Sequence, residues 1–262
     1  MLRYLKLYAY FLRFSFSRAM EFRLDFSFRI VMDTAFYIVQ IAFFSLLYRH
    51  TEHLTGWNFD QVLVFVAGYF VLDGLWMALF STNMWWLPLF VNRGDLDYYL
   101  VRPVSSLFFL SLREFAANSF MNMVIAIGIL IWALARYPEP LGAGSIICYI
   151  ALLINGTFLM YIVNMWFLIP VFWLQDERGL GTLFFTVSSY VGRPHRIFRG
   201  WLRRVMMTIL PFGMMASFPA VVLFDGLTLL KLLHVTSVTV ACFVVLVLFW
   251  RKGLRSYASA SS

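Results

Sequence analysis

The positive charges of this 262-residue chain are concentrated in alternate segments between long apolar runs. Of its 21 Lys and Arg side chains, 18 lie in residues 1–29, 83–118, 174–204 and 251–262. The segments that alternate with these four carry one basic side chain each, namely Arg49, Arg136 and Lys231. Because Lys and Arg beside a membrane span are retained in the cytoplasm, this alternation predicts a multi-pass protein of the bacterial inner membrane with both termini cytoplasmic.

Six apolar runs are long enough to cross a bilayer, which takes about 20 residues in a helix. With 62% hydrophobic and only 13% charged residues, the composition excludes a water-soluble globule. The runs are residues 30–48, 61–82, 119–135, 146–173, 205–223 and 232–250. The expected fold class is therefore an all-α membrane protein with six transmembrane helices.

The N-terminal segment has the pattern of an amphipathic interfacial helix. In a helix with 100° per residue, one narrow polar arc would contain Arg3, Lys6, Tyr10, Arg13 and Ser17. Basic side chains recur throughout this segment and no compact apolar core with a cleavage site follows, so a signal peptide is not expected. The expected domains are an N-terminal cytoplasmic helix over 1–29, a membrane domain over 30–250 and a short cytoplasmic tail over 251–262.

The sequence argues against nucleotide or metal chemistry in this chain. A P-loop needs Lys directly after Gly, and none of Lys6, Lys231 and Lys252 follows a glycine. His50, Glu52 and His53 lack the H-E-x-x-H spacing and are interpreted as part of a polar outward loop. The net charge of +8 is explained by basic loops beside anionic membrane lipids, so no nucleic acid partner is expected.

A few polar side chains fall inside the apolar runs, where a carboxylate is costly and therefore a functional candidate. The candidate substrate pathway consists of Asp33, Gln40, Asp73, Asn155 and Asn164. Structural alternatives are open for both carboxylates. Asp33 is placed to pair with Arg29, four residues earlier on one helix face, and a protonated carboxyl or an interhelical hydrogen bond would satisfy Asp73.

A cytoplasmic stretch between the second and third runs carries a recognisable motif. Residues 90–104 read FVNRGDLDYYLVRPV, which resembles the G-x-[LIF]-D-x-x-L-x-[KR]-P signature of ABC-2 type permeases. Gly94 permits a tight entry, Asp95 is suited to capping a short helix, and Pro103 ends it. The resemblance implies that this stretch forms a coupling helix, which docks on a separate ATPase. This helix would lie within a coupling loop at about 83–118. Its coupling residues are Gly94, Asp95, Leu96, Asp97, Tyr98, Arg102 and Pro103.

A second stretch is similar to the pattern of a six-span subfamily of these permeases, P-x-x-[IV]-[FY] followed by lR, iPF and [YF]PA. The corresponding residues are Pro194 to Phe198, Arg203-Arg204, Ile209 to Phe212 and Phe218 to Ala220.

The resemblance implies a transport subunit that pairs with a second permease chain, identical or different, and with ATPases. ATP and Mg would be bound by the ATPase partner, and no cofactor is expected in this chain. Its substrates would be drugs, lipids or glycans. Export is favoured over import because no outward loop is longer than about a dozen residues.

Other classes of membrane protein remain as alternatives. A secondary transporter could use Asp33 and Asp73 for proton coupling, but no internal repeat with paired broken helices is visible. A membrane-embedded enzyme would need a cluster of His, Glu or Ser near one interface, and none stands out. A membrane anchor subunit is compatible with everything except the coupling-like loop.

Overall fold

The computed structural model describes residues 2–19, 23–50, 56–174, 179, 182, 186, 191–193 and 200–257. All regular elements in this part of the chain are helical. They are α1 (Leu2–Ala19), α2 (Arg23–Tyr48), α3 (Phe59–Trp76), a π turn (Met77–Ser81), α4 (Thr82–Arg93), α5 (Asp97–Leu100), α6 (Ser106–Leu112), α7 (Ala117–Arg136), α8 (Ala143–Leu168), α9 (Val171–Leu174), α10 (Gly200–Thr208), α11 (Phe212–Met215), α12 (Ser217–Asp225) and α13 (Leu229–Ser256).

Five helical stretches among the described residues are long and apolar enough to cross a membrane. They are Ile30–Tyr48, Phe59–Arg93, Ser119–Arg136, Ala143–Leu174 and Leu229–Ser256. The prediction of an all-α membrane protein is therefore confirmed. Helix α2 begins at Arg23, within the expected N-terminal segment 1–29, and α13 ends at Ser256, within the expected C-terminal tail 251–262.

The apolar run at 205–223 was expected to be one span, but in the structure it is divided among α10, α11 and α12. Pro211 lies at the first break, where it lacks an N–H group and disfavours the helical conformation of Leu210. The second break is at Ala216, between α11 and α12. The number of continuous spans is consequently smaller than the number of apolar runs among the described residues.

Helix α3 is the centre of the bundle. It is apolar on every face, and most of its residues are buried. A reciprocal capping box between Asn58 and Gln61 fixes its first turn, with hydrogen bonds of 2.9 and 3.1 Å. Its most extensive packing is against α7, followed by α8. The helix continues through the π turn into α4, so residues from Phe59 to Arg93 form one unbroken helical stretch.

Helices α2 and α13 lie at the periphery and expose apolar side chains. The most exposed include Val31, Met32 and Ile38 on α2, and Leu229 and Leu230 on α13. Exposed apolar surface of this extent is typical of contact with lipid or with another membrane chain.

Different loops and helix ends lie at the two ends of the bundle. At one end α1 and α6 meet through Tyr4 and Phe108, whose ring centroids are 4.8 Å apart. Helix α13 reaches the same end, where Trp250 Nε1 donates to Ser106 Oγ at 3.3 Å. At the other end Phe224 packs against Trp57 and Tyr137. The described parts of three Lys- and Arg-rich segments are thus grouped at one end, as the charge alternation predicts.

Gly156 on α8 allows α8 and α11 to touch backbone to backbone. A Cβ at this position would overlap the carbonyl oxygen of Met215. The Gly156→Ala variant should therefore lose about 1–3 kcal/mol of stability through overpacking. Thermal unfolding in detergent measures this loss. Gly128→Ala on α7 is the matched control because a Cβ there has open space around it, and equal stability of the two variants would contradict the packing described.

Candidate functional site

The segment from Gly94 to Pro103, called the coupling segment below, begins with a sharp reversal of the chain. Gly94 ends α4 in a left-handed conformation with φ of 80°, and its N–H bonds to the Val91 carbonyl at 3.4 Å. The N–H of Leu96 then returns to the Phe90 carbonyl at 3.2 Å. The Leu96 side chain is fully buried, so this residue anchors the coupling segment.

The short helix α5 forms the middle of the coupling segment. Asp95 was expected to cap it, but Leu96 occupies the N-cap position and no side chain makes a capping hydrogen bond. Asp95 contributes its backbone carbonyl instead, which accepts from the N–H of Tyr98 at 3.3 Å. Asp95 and Asp97 are both partly buried.

The outer face of the coupling segment is aromatic and aliphatic. Tyr98 is 71% exposed and Val101 is 82% exposed. They are three positions apart along the chain, so they lie on one face of the turn. Arg102 and Pro103 are also exposed, and the Arg102 guanidinium lies 4.8 Å from the Phe109 ring centre. The motif did not single out Val101, although its spacing from Tyr98 could have identified it.

The inner face of the coupling segment is held by an aromatic and cationic cluster. The Tyr99 ring centre lies 5.1 Å from that of Phe90 and 5.6 Å from that of Phe109. Arg113 donates to the Tyr99 hydroxyl through Nη1 and to Glu114 Oε1 through Nη2, the latter at 2.6 Å. These contacts fix α5 against α4 and α6.

Helix α1 contacts the part of the chain that follows the coupling segment. The N–H of Ser105 donates to the Tyr4 hydroxyl at 3.3 Å, and the N–H of Phe115 donates to Ser15 Oγ at 3.0 Å. Between α1 and the segment lies an open groove of about 540 Å³. It is lined by Lys6, Leu7, Tyr10, Arg102, Pro103, Val104 and Phe109.

Asn83 connects the membrane core to the loop behind the coupling segment. Its Nδ2 donates to the Glu114 carbonyl at 2.6 Å, and its Oδ1 accepts from the Glu114 N–H at 2.7 Å. The adjacent Ala116 N–H donates to the carbonyl of Ala78, inside the π turn, at 3.0 Å. Nothing in the local sequence marks Asn83 for this role, because Glu114 lies 31 positions away along the chain.

Two of the intramembrane candidates meet in the structure. Asp33 on α2 and Asp73 on α3 line one cavity of about 30 Å³ together with Ser119 and Asn122 of α7. Asn122 donates to Asp33 through Nδ2, a partner that the sequence pattern did not indicate. The Arg29 side chain, the alternative partner of Asp33, lies outside the described residues.

The other three intramembrane candidates do not line this cavity. Gln40 is partly buried on α2. Asn155 donates to Thr239 Oγ1 at 3.1 Å and lines a cavity of about 280 Å³ between α8 and α13. Asn164 is 4% exposed on α8. Of the five intramembrane candidates, the structure therefore brings Asp33 and Asp73 together at one cavity.

Two other sequence features have a limited structural description. No group of three or more His, Cys, Asp or Glu side chains suited to a metal ion occurs in the part of the chain described. Glu52 and His53 lie outside it, as do residues 194–199 of the second motif and most of 182–192. The remainder of that motif includes Pro211 at the helix break and Pro219, buried in α12.

The chain was compared with protein families, curated proteins and solved structures. A family profile described as "ABC-2 family transporter protein" matches residues 34–261. No curated protein and no solved structure matches the chain. The matched region includes the coupling segment and the intramembrane candidates Gln40, Asp73, Asn155 and Asn164, and it begins one residue after Asp33.

The Asn83 contacts predict a specific effect of Asn83→Ala. The variant leaves the N–H and carbonyl of Glu114 without these partners, at a cost of about 1–3 kcal/mol for each group that stays buried. Hydrogen exchange of the backbone at 114–116 should accelerate about tenfold or more. Asn92→Ala, at an exposed position of α4, is the control. An unchanged rate of hydrogen exchange at 114–116 in Asn83→Ala would refute the conclusion that Asn83 holds this loop in place.

Proposed function

The chain belongs to the ABC-2 family of transporter proteins, and from this we propose that it is the permease subunit of an ATP-driven exporter in the bacterial inner membrane. Its substrates are hydrophobic or amphipathic molecules such as drugs, lipids or glycans. It acts with a cytoplasmic ATPase subunit that binds ATP and Mg. The observation that carries this proposal is the coupling segment, a braced turn with Tyr98 and Val101 exposed at the basic end of the bundle.

The construction of the coupling segment suits docking on another protein. A few aromatic and well-packed side chains supply most of the affinity in such contacts. Tyr98 and Val101 are exposed, whereas Leu96 and Tyr99 hold the segment from beneath. A rigid segment loses little conformational freedom on binding, which favours affinity.

The same construction would also allow the coupling segment to transmit movement to the membrane helices. The coupling segment follows directly on α4, which continues α3 through the π turn. Displacement of the segment by an ATPase would therefore reach the core of the bundle along one helix. Asn83 and Tyr99 tie the surrounding loop to that helix, so the loop and the helix would move together.

We place the substrate pathway between two permease chains, as the resemblance to ABC-2 type permeases implies. The exposed apolar faces of α2 and α13 offer surface for a second chain, identical or different, and for lipid.

Truncation of Tyr98 should weaken docking of the ATPase without affecting the folding of the permease. We expect Tyr98→Ala to reduce the recovery of the ATPase with the tagged permease by about tenfold, as for an interface hot spot, and to reduce export in parallel. Membrane insertion should not change, since no apolar span is altered. Quantitative mass spectrometry of the purified complex and a transport assay at matched expression measure both effects.

Phe14→Ala is the matched control for this experiment. Phe14 is 68% exposed on α1, almost the same as Tyr98, and it does not line the groove beside the coupling segment. We expect the control to retain the ATPase. Normal ATPase recovery and export in Tyr98→Ala would refute docking through α5, and the absence of any P-loop protein from the wild-type complex would refute the proposed subunit arrangement.

The proposed orientation predicts where reporters are active. Fusions at Asp95, Gly200 and Ala258 should report a cytoplasmic location, and fusions at Thr55, Glu139 and Thr228 an outward one, because of the basic-residue distribution. Cysteine accessibility in intact cells provides an independent measurement. An outward location of Asp95 would exclude contact with a cytoplasmic ATPase.

A further inference from the structure

The open groove between α1 and the end of the coupling segment is positively charged. Lys6 on α1 and Arg102 on the coupling segment both line it, and both side chains are exposed. No Asp or Glu is among its lining residues. In the described part of the chain, no carboxylate forms an ion pair with either cation. The groove therefore presents two positive charges to its occupant.

The Arg102 guanidinium is held in position by the protein itself. Its Nε donates to the Tyr98 carbonyl at 3.3 Å. Its central carbon lies 5.8 Å from the Tyr99 ring centre and 4.8 Å from that of Phe109, which is a favourable position for a guanidinium. These contacts leave the two Nη groups for a ligand, and a guanidinium commonly binds phosphate oxygens through two parallel hydrogen bonds.

The remainder of the groove is largely apolar. Leu7 of α1, Pro103 and Val104 after the coupling segment helix, and Phe109 of α6 contribute its carbon surface. The volume of about 540 Å³ lies in the range of about 300–1,000 Å³ that is usual for sites of organic ligands. A groove that combines two cations with apolar surface suits a ligand with an anionic head and a hydrocarbon part.

The groove lies at the level where the membrane spans begin. Helix α1 packs Phe16 against Phe120, with ring centres 5.8 Å apart, and the span of α7 begins at Ser119. On α13, Trp250 donates to Ser106, and two basic residues follow Trp250 directly. Trp and basic side chains at the end of a span are typical of the membrane interface. Lipid headgroups are therefore the molecules nearest to the groove.

We propose that the groove binds one anionic phospholipid of the surrounding bilayer. Its phosphate lies between Lys6 and Arg102, and its glycerol and first acyl carbons lie on Leu7, Val104 and Phe109. Basic pockets between membrane helices on the cytoplasmic side bind anionic headgroups in this way. The lipid joins α1 to the end of the coupling segment.

The lipid site is separate from the face proposed to dock on the ATPase. Tyr98 and Val101 are not among the residues that line the groove, so lipid binding does not depend on the proposed subunit arrangement. The apolar lining and the position at the membrane interface favour a lipid over an acidic segment of a partner protein.

Native mass spectrometry of the detergent-solubilised full chain measures this binding. Dioleoyl phosphatidylglycerol is compared with dioleoyl phosphatidylcholine, which has the same acyl chains and no net charge. We expect the first phosphatidylglycerol to bind about tenfold more tightly, and Lys6→Gln and Arg102→Gln each to weaken it about fivefold, since each basic side chain beside an anionic lipid contributes roughly that factor. Lys6→Arg should retain the preference.

Lys252→Gln is the matched control. Lys252 is exposed near the end of α13 and does not line the groove, so this variant should bind phosphatidylglycerol as the wild type does. Millimolar sn-glycerol 3-phosphate carries the anionic group without acyl chains and should not displace the lipid.

Four outcomes would overturn the proposal. Equal affinity of the wild type for the two lipids would exclude an anionic lipid site, and an equal loss in Lys252→Gln would indicate diffuse attraction to all basic residues at this end. Displacement by glycerol 3-phosphate would assign the groove to a soluble phosphate compound. If Lys6→Gln binds the lipid normally but recovers less ATPase, the groove accepts an acidic segment of the ATPase.

Discussion

The close packing of α3 is the constraint on which the other membrane helices depend. Lipid offers no hydrophobic driving force between helices, so association relies on van der Waals contact and on small residues that let helices approach. Gly74 is such a residue, since a Cβ there would lie 3.1 Å from Met123 Cα of α7. Gly68 receives the ring of Tyr149 from α8, and the Tyr149 hydroxyl donates to the Val64 carbonyl at 3.2 Å. The positions of α7 and α8 follow from these contacts.

The continuity of α3 with α4 connects this core to the proposed docking surface. The helical stretch from Phe59 to Arg93 has 35 residues, which corresponds to a length of about 50 Å. Its middle touches the Asp33 cavity through Asp73, and its end carries the coupling segment. In the proposed mechanism, displacement of the coupling segment by the ATPase would act on the helix that lines this cavity. The π turn lies between the two positions.

Local sequence patterns were sufficient for some features of this structure. The apolar runs indicated the long helices, because a helix in lipid satisfies its own backbone hydrogen bonds whatever surrounds it. The G-D-L-D motif located the coupling segment, because Gly94 is needed for the left-handed turn that ends α4.

Features that depend on distant partners could not be predicted in the same way. The roles of Asn83 and Asn122 arise from partners 31 and 89 positions away, and the burial of Leu96 depends on the packing around α4 to α6. The hydropathy pattern also did not reveal the helix breaks within 205–223. An apolar run shows that a segment is apolar enough for a membrane, but not whether its helix is continuous. Pro211 was the local signal for one break, whereas the break at Ala216 has no comparable marker.

Photo-crosslinking in native membranes tests the central claim, that the coupling segment is the surface on which the ATPase docks. A photoreactive amino acid replaces Val101 on the coupling segment, and a second variant carries it at Leu229, which is 73% exposed at the other end of the bundle. We expect an adduct with a P-loop ATPase at position 101 and none at position 229. An adduct at 229, or none at 101 when the ATPase co-purifies with the variant, would contradict it.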